Sequence, residues 1–300
     1  MNDPAWIWVS AALVAAAAQT ARNTLQSSLT ASLGALGATL VRFLYGLPFG
    51  VLFCIVGGFI AGGLPAPGLA FIAWTVVGAL AQITATALML TAMRDRSFVV
   101  VTVYTKTELL QVAFLGAILL GDTLTGFTLL TVVVASAGVV LASWPRSVNG
   151  SVALAAFRPA LQGLGAGLFF ALAGVGYRGA ALSLGESAFY GRAALTLACA
   201  LTVQTLVMTI WFALRDPTRL RAIAAAWRPS LAAGFMGALA SLGWFVAFTL
   251  TTAANVKMVG LVEIGFAWIV SRRIFGEGLM PREIAGMALI VAAILATLMP

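Results

Sequence analysis

Runs of about 20 apolar residues recur from one end of the chain to the other, separated by short breaks of glycine, proline and charge. A helix of that length, rising 1.5 Å per residue, matches a hydrocarbon layer about 30 Å thick. Ten runs can be placed, over residues 5–23, 38–58, 69–92, 98–120, 126–144, 160–183, 188–213, 231–253, 257–275 and 283–299. The breaks carry turn chemistry: Gly62-Gly63-Leu64-Pro65, Arg94-Asp95-Arg96, Gly121-Asp122, Trp144-Pro145 and Asp216-Pro217. The longest polar pieces, 145–159 and 214–229, are too short to be domains. With 62% hydrophobic and 9% charged residues, against about 25% charged in soluble domains, the chain has too little polar surface to face water. The fold class expected is an all-α integral membrane protein with ten transmembrane helices.

Several function classes fall away at once. The chain has no histidine, which removes Ser-His-Asp triads, HExxH zinc sites and histidine proton relays. It has no GxSxG, Walker A or CxxC motif, so no enzyme activity and no cofactor are expected. Cys54 and Cys199 lie inside apolar runs and read as small buried hydrophobes. The net charge of +8 comes from basic residues scattered at span ends, without a basic patch interleaved with aromatics, so nucleic acid is not an expected partner. The opening MNDPAWIW has no basic n-region, and a cleaved signal peptide is not expected.

The second half echoes the first. Gly78-Ala79-Leu80-Ala81 recurs as Gly237-Ala238-Leu239-Ala240, Glu108-Leu109 as Glu263-Ile264, and Gly121-Asp122 as Gly276-Glu277. Two repeats are expected, 1–148 and 149–300, with five spans each. Five is odd, so the second copy enters the membrane upside down, a 5+5 inverted repeat with its site near the midplane. Arginines crowd the connections after spans three, five, seven and nine, while those after even spans hold Lys257. The positive-inside rule then puts both termini on the non-cytoplasmic side.

The fourth span is the anomaly. Residues 99–122 are apolar, yet hold Tyr104, Lys106, Glu108 and Gln111. Lys106 falls about 13 Å into the layer, where a charge costs roughly 2.5 to 3.5 kcal/mol on insertion scales. Tyr104 and Glu108 are four apart and share a helical face that Gln111 extends; Lys106 points away from it. Glu108 can accept a substrate ammonium or serve as a proton site, and Lys106 can take a carboxylate. The alternative is a buried Lys–Glu bridge between helices. Glu263, the repeat counterpart of Glu108, either joins the site or partners Lys257.

Gln19 and Gln82 are neutral polar groups deep in apolar runs, suited to bonding substrate or a neighbouring helix. Trp244, Trp268, Tyr177 and Phe248 can stack on a cargo side chain or simply pack. Trp6, Trp8, Trp144, Trp211 and Trp227 stand at span ends as interfacial anchors. Gly163, Gly167, Ala171 and Gly174 form a stripe down the sixth span that suits close packing or sliding. Arg22, Arg42, Arg178 and Arg192, at span ends, are expected to snorkel, with Arg178 also a candidate gate.

Two segments, Lys106-Thr107-Glu108-Leu109-Leu110 through Gly121-Asp122-Thr123-Leu124-Thr125 and Glu263 through Gly276-Glu277 to 284–290, resemble the EamA-type branch of the drug/metabolite transporter superfamily. That family repeats Gly-Glu before the last span of each half; here the first half has Gly-Asp instead. Around Tyr104-Thr105-Lys106-Thr107-Glu108 the chain is most similar to YddG-type exporters of amino acids and aromatic compounds. The resemblance implies a central cavity lined by spans one, three, four, six, eight and nine. It implies a secondary exporter of small metabolites, amino acids first, working by alternating access as a monomer in a bacterial-type inner membrane. Protons are a candidate coupling ion. An exporter or facilitator of another metabolite or of organic cations is the alternative, ahead of a channel or a membrane enzyme.

Overall fold

A computed structural model describes residues 4–95, 104–142, 157–266, 269 and 280–298. Every regular element among them is helical: α1 Pro4–Leu44, α2 Leu47–Ala61, α3 Leu69–Asp95, α4 Glu108–Leu120, α5 Gly126–Ala142, α6 Phe157–Leu182, α7 Phe189–Arg215, α8 Pro217–Ala225, α9 Trp227–Leu250, α10 Ala253–Gly260 and α11 Pro281–Leu298. A further helical stretch covers 262–266. Six described stretches are long and apolar enough to cross a membrane: Ser32–Ala61, Leu69–Ala92, Leu161–Leu182, Phe189–Arg215, Trp227–Leu250 and Pro281–Leu298. Phe59 (83% exposed) and Ile118 (76%) turn large apolar side chains outward, as lipid-facing helices do. The protein is an all-helical chain of multi-pass membrane character. Residues 96–103, the turns at Trp144-Pro145 and Gly276-Glu277, and Trp268 lie outside the described residues.

The first helix differs from expectation. The apolar run stops near residue 23, but α1 continues to a break at Gly34 (φ 70°, ψ 166°) and resumes to Leu44. No glycine or proline interrupts 23–33, and Thr24 and Thr30 return their hydroxyls to the carbonyls four residues back. Polar residues therefore extend the helix instead of ending it.

The chain forms two compact units, and each takes a segment from both sequence halves: residues 1–80 with 176–251, and 81–175 with 252–300. In the first unit the stretch of α1 before Gly34 runs antiparallel to α9 in close contact: a Cβ on Gly243 would meet Ala11 O at 2.7 Å, and one on Gly237 would meet Arg22 Cδ at 3.3 Å. Helices α2 and α7 pack where Gly50 meets Leu201 and Gly57 meets Ala194. The core between α3, α6 and α7 gathers Phe71, Trp74, Ala180, Leu184, Leu195 and Cys199. In the second unit α5 and α11 cross at Gly138 and Gly286, the latter so close that a Cβ would lie 2.6 Å from Gly138 O. Close backbone approach of this kind supplies the van der Waals contact that holds helices together in lipid.

Candidate functional site

Four charged residues of the second unit, Lys106, Glu108, Lys257 and Glu263, gather at two helix breaks. Residues 104 and 105 are helical, Lys106 and Thr107 form a turn, and α4 starts at Glu108. Likewise α10 ends at Gly260, Leu261 turns, and Glu263 lies in the next helical stretch, 262–266. Both glutamates thus stand in the first turn of a helix, where the positive end of its dipole favours a carboxylate. Lys257 stands in the last turn of α10, where the negative end favours a cation.

The pairs cross between the two broken segments. Lys106 Nζ donates to Glu263 Oε1, and Lys257 Nζ pairs with Glu108 Oε1. The lysine side chains are 24% and 30% exposed and the glutamates 20% and 13%, so all four charges are largely withdrawn from solvent. Glu108 is also within electrostatic reach of Lys106. The bridge foreseen for Lys106 therefore forms, while Glu263 and Lys257, six residues apart on one broken helix, each find a partner on the other segment.

Helix α6 seats the break before α4. A Cβ on Gly163 would meet Tyr104 Cβ at 2.6 Å, and one on Gly167 would meet Thr105 O at 2.9 Å and Glu108 N at 3.2 Å. Thr107 Oγ1 donates to Tyr104 O at 2.7 Å, and Gln111 Nε2 reaches Thr107 Oγ1 at 3.3 Å. A turn separates Tyr104 from Glu108, and Tyr104 packs on Gly163. Gln82 is half-buried on α3 of the same unit, its carbonyl accepting from Thr86 Oγ1 at 2.9 Å.

The remaining sequence candidates lie in the first unit. Trp244 Nε1 donates to Gln19 Oε1 at 3.1 Å, joining α9 to α1. Tyr177 is 3% exposed; its hydroxyl accepts from Gln204 Nε2 at 2.9 Å, and its ring lies 4.5 Å from that of Phe245. Arg178 Nη1 donates to Phe248 O at 2.9 Å and also to Thr251 O, capping the carbonyl end of α9. Arg22 does not snorkel: it is 7% exposed, against Gly237.

Lys257 as the partner of Glu108, and Gln204 as the partner of Tyr177, were missed by sequence reasoning. Gln204 had the same signal as Gln19, an amide inside an apolar run. For Lys257 the signal was its depth in an apolar run and an unassigned glutamate elsewhere.

No family model and no curated protein matches this chain. Solved structures do match: one described only as "Crystal structure of protein" superimposes with a TM-score of 0.70 over 98% of this chain and 94% of its own length, at 14% identity. At that identity the likeness shows a shared fold and nothing of function.

Proposed function

We propose that the chain is a secondary transporter of the EamA type that exports small metabolites, amino acids above all, by alternating access. The observation that carries this reading is the double exchange of charge in the second unit, Lys106 with Glu263 and Lys257 with Glu108, at breaks in apolar helices. Ionisable groups inside membrane helices are costly and mark substrate or ion paths. Helices broken at mid-membrane are how many secondary transporters form their sites. A zwitterion carries the same two charges as one such pair. Its ammonium can compete for a glutamate and its carboxylate for a lysine, so cargo can replace a bridge without leaving a buried charge unmatched.

In this reading the chain is a 5+5 inverted repeat of ten spans in an inner membrane, with both termini outside. Arg178, holding the end of α9, is the candidate gate. Purified protein in liposomes is expected to move labelled threonine or methionine with saturable kinetics. Absence of flux across all proteinogenic amino acids, with flux of another solute class, would overturn the substrate assignment. Glu108→Gln separates the coupling modes: exchange that survives while proton-driven accumulation fails identifies a proton antiporter.

A further inference from the structure

The stretch joining α7 to α9 holds four arginines, Arg215, Arg219, Arg221 and Arg228, against one acid, Asp216. At 1.5 Å per residue, the 27 residues of α7 and the 24 of α9 each run longer than a hydrocarbon layer about 30 Å thick. In a multi-pass chain this junction therefore stands at headgroup level. Its neighbours agree: Trp211, Leu214 and Trp227 flank the arginines and are exposed, as aromatic and apolar side chains are at the membrane surface.

Helix α8 fills the junction and is held at both ends. Nine residues are too few for a stable helix in isolation. At its start the Arg219 N–H donates to Asp216 Oδ1 at 3.0 Å. At its end the Tyr45 hydroxyl reaches Ile223 O at 3.0 Å and Ala224 O at 3.2 Å, carbonyls that a helix terminus otherwise leaves over. Ile223 is fully buried, its Cδ1 3.6 Å from where a Cβ on Gly37 would stand. Arg219 belongs to this seat, with Nε 3.3 Å from Asp216 Oδ2 and its stem beside Gly37. The other three arginines do not. Arg215, Arg221 and Arg228 are exposed, and none pairs with a carboxylate among the described residues. Arg221 is two residues from both Arg219 and Ile223, which turns it to the opposite side of α8. The Arg228 guanidinium lies 5.2 Å from the centre of the Trp227 ring, so charge and apolar surface adjoin.

We propose that Arg215, Arg221 and Arg228, steadied by α8, form a docking surface for anionic phospholipid headgroups. A guanidinium fork matches phosphate oxygens. The one carboxylate nearby is already engaged by Thr218 and Arg219, so the surface is left with unmatched positive charge. That charge favours a headgroup with net negative charge over phosphatidylcholine, whose choline cancels its phosphate. Exposed Trp211, Leu214 and Trp227 meet the upper acyl chains, which a soluble phosphate lacks. The surface depends on the membrane character of the chain and not on what the chain carries.

The test uses purified full-length protein in nanodiscs of equal parts phosphatidylglycerol and phosphatidylcholine, with retained lipids counted by native mass spectrometry. The parent is expected to retain phosphatidylglycerol in preference. Each of Arg215→Gln, Arg221→Gln and Arg228→Gln should lower that preference about fivefold, and the triple variant by more than about tenfold. Arg192→Gln, near the other end of α7, should retain lipid as the parent does. Should the triple variant fail to fold, Arg221→Gln carries the test. The proposal is overturned if the parent shows no preference, if the folded variants keep it, or if only Arg192→Gln lowers it. It is also overturned if the three arginines bind a uridine oligonucleotide in phosphatidylcholine discs while phosphatidylglycerol is not retained. A lipid preference without amino-acid flux would sink the transport reading alone; flux without a lipid preference would sink this surface alone.

Discussion

Removing both charges of the Lys106–Glu263 pair should cost far less than the sum of removing each alone. At an effective dielectric near 20, unit charges 4 Å apart attract by about 4 kcal/mol. The side chains retain 24% and 20% exposure, so part of that attraction is screened, and a coupling of about 2 to 3 kcal/mol is expected. Lys106→Met takes the lysine from Glu263, and Glu263→Gln takes the carboxylate from Lys106, which keeps Glu108 within electrostatic reach. Breaking a buried pair by deleting one partner costs roughly 3 to 5 kcal/mol, and these pairs, partly wetted, belong at or below the lower end. The double variant should then be about 2 to 3 kcal/mol more stable than the sum of the single losses predicts. Reversible unfolding in mixed micelles titrated with sodium dodecyl sulfate measures all four corners of the cycle. Additivity within about 0.5 kcal/mol would refute the pairing. The exchanged pair, Lys106→Glu with Glu263→Lys, should recover only part of the stability, because a lysine at 263 then stands in the first turn of a helix and a glutamate at 106 lies within electrostatic reach of Glu108.

Three further outcomes follow from local geometry. Gly167→Ala should push the turn before Glu108 off α6, costing about 1 to 3 kcal/mol and slowing flux, whereas Gly165→Ala, whose nearest neighbour is Leu88 Cδ1 at 3.5 Å, should be nearly silent in the same assays. Gln204→Leu removes the donor to the buried Tyr177 hydroxyl and should cost about 1 to 3 kcal/mol by the same micelle titration. The Asp216 carboxyl is held below the ordinary carboxylate range, first by the Thr218 hydroxyl, then by the Arg219 N–H. Its capping of α8 is therefore complete at neutral pH and lost as pH falls through that depressed value; protection of the Arg219 amide, its exchange measured relative to the intrinsic rate at each pH, should fall in acid in the parent and be low throughout in Asp216→Ala.

Hydropathy reveals the long apolar helices, because lipid leaves the backbone little choice but to satisfy itself, but not α8, which lies in the polar piece 214–229. It did not reveal where they bend. The break before Glu108 follows Lys106 and Thr107, with no glycine or proline there; the glycines that seat it, Gly163 and Gly167, lie some 60 residues away on α6. Spacing showed that Lys106 and Glu108 cannot bond each other, and so that other partners exist. It could not choose Glu263, 157 residues distant from Lys106, over Lys257 and Glu263 pairing locally. Arg22 and Arg42 look like span-end residues in the sequence. Only the continuation of α1 past residue 23, and its return after Gly34, brings both to Gly237.

In a transporter of this design, water and small solutes should reach the charges at the break before α4 although the helices around it are apolar. In a background with Cys54 and Cys199 replaced by serine, Thr107→Cys can be exposed to a membrane-impermeant thiol reagent from either face of sealed vesicles. Labelling is expected from one side and should slow when an amino acid that the protein moves is added. A cysteine that stays unlabelled from both sides, in protein shown to be folded, would contradict it.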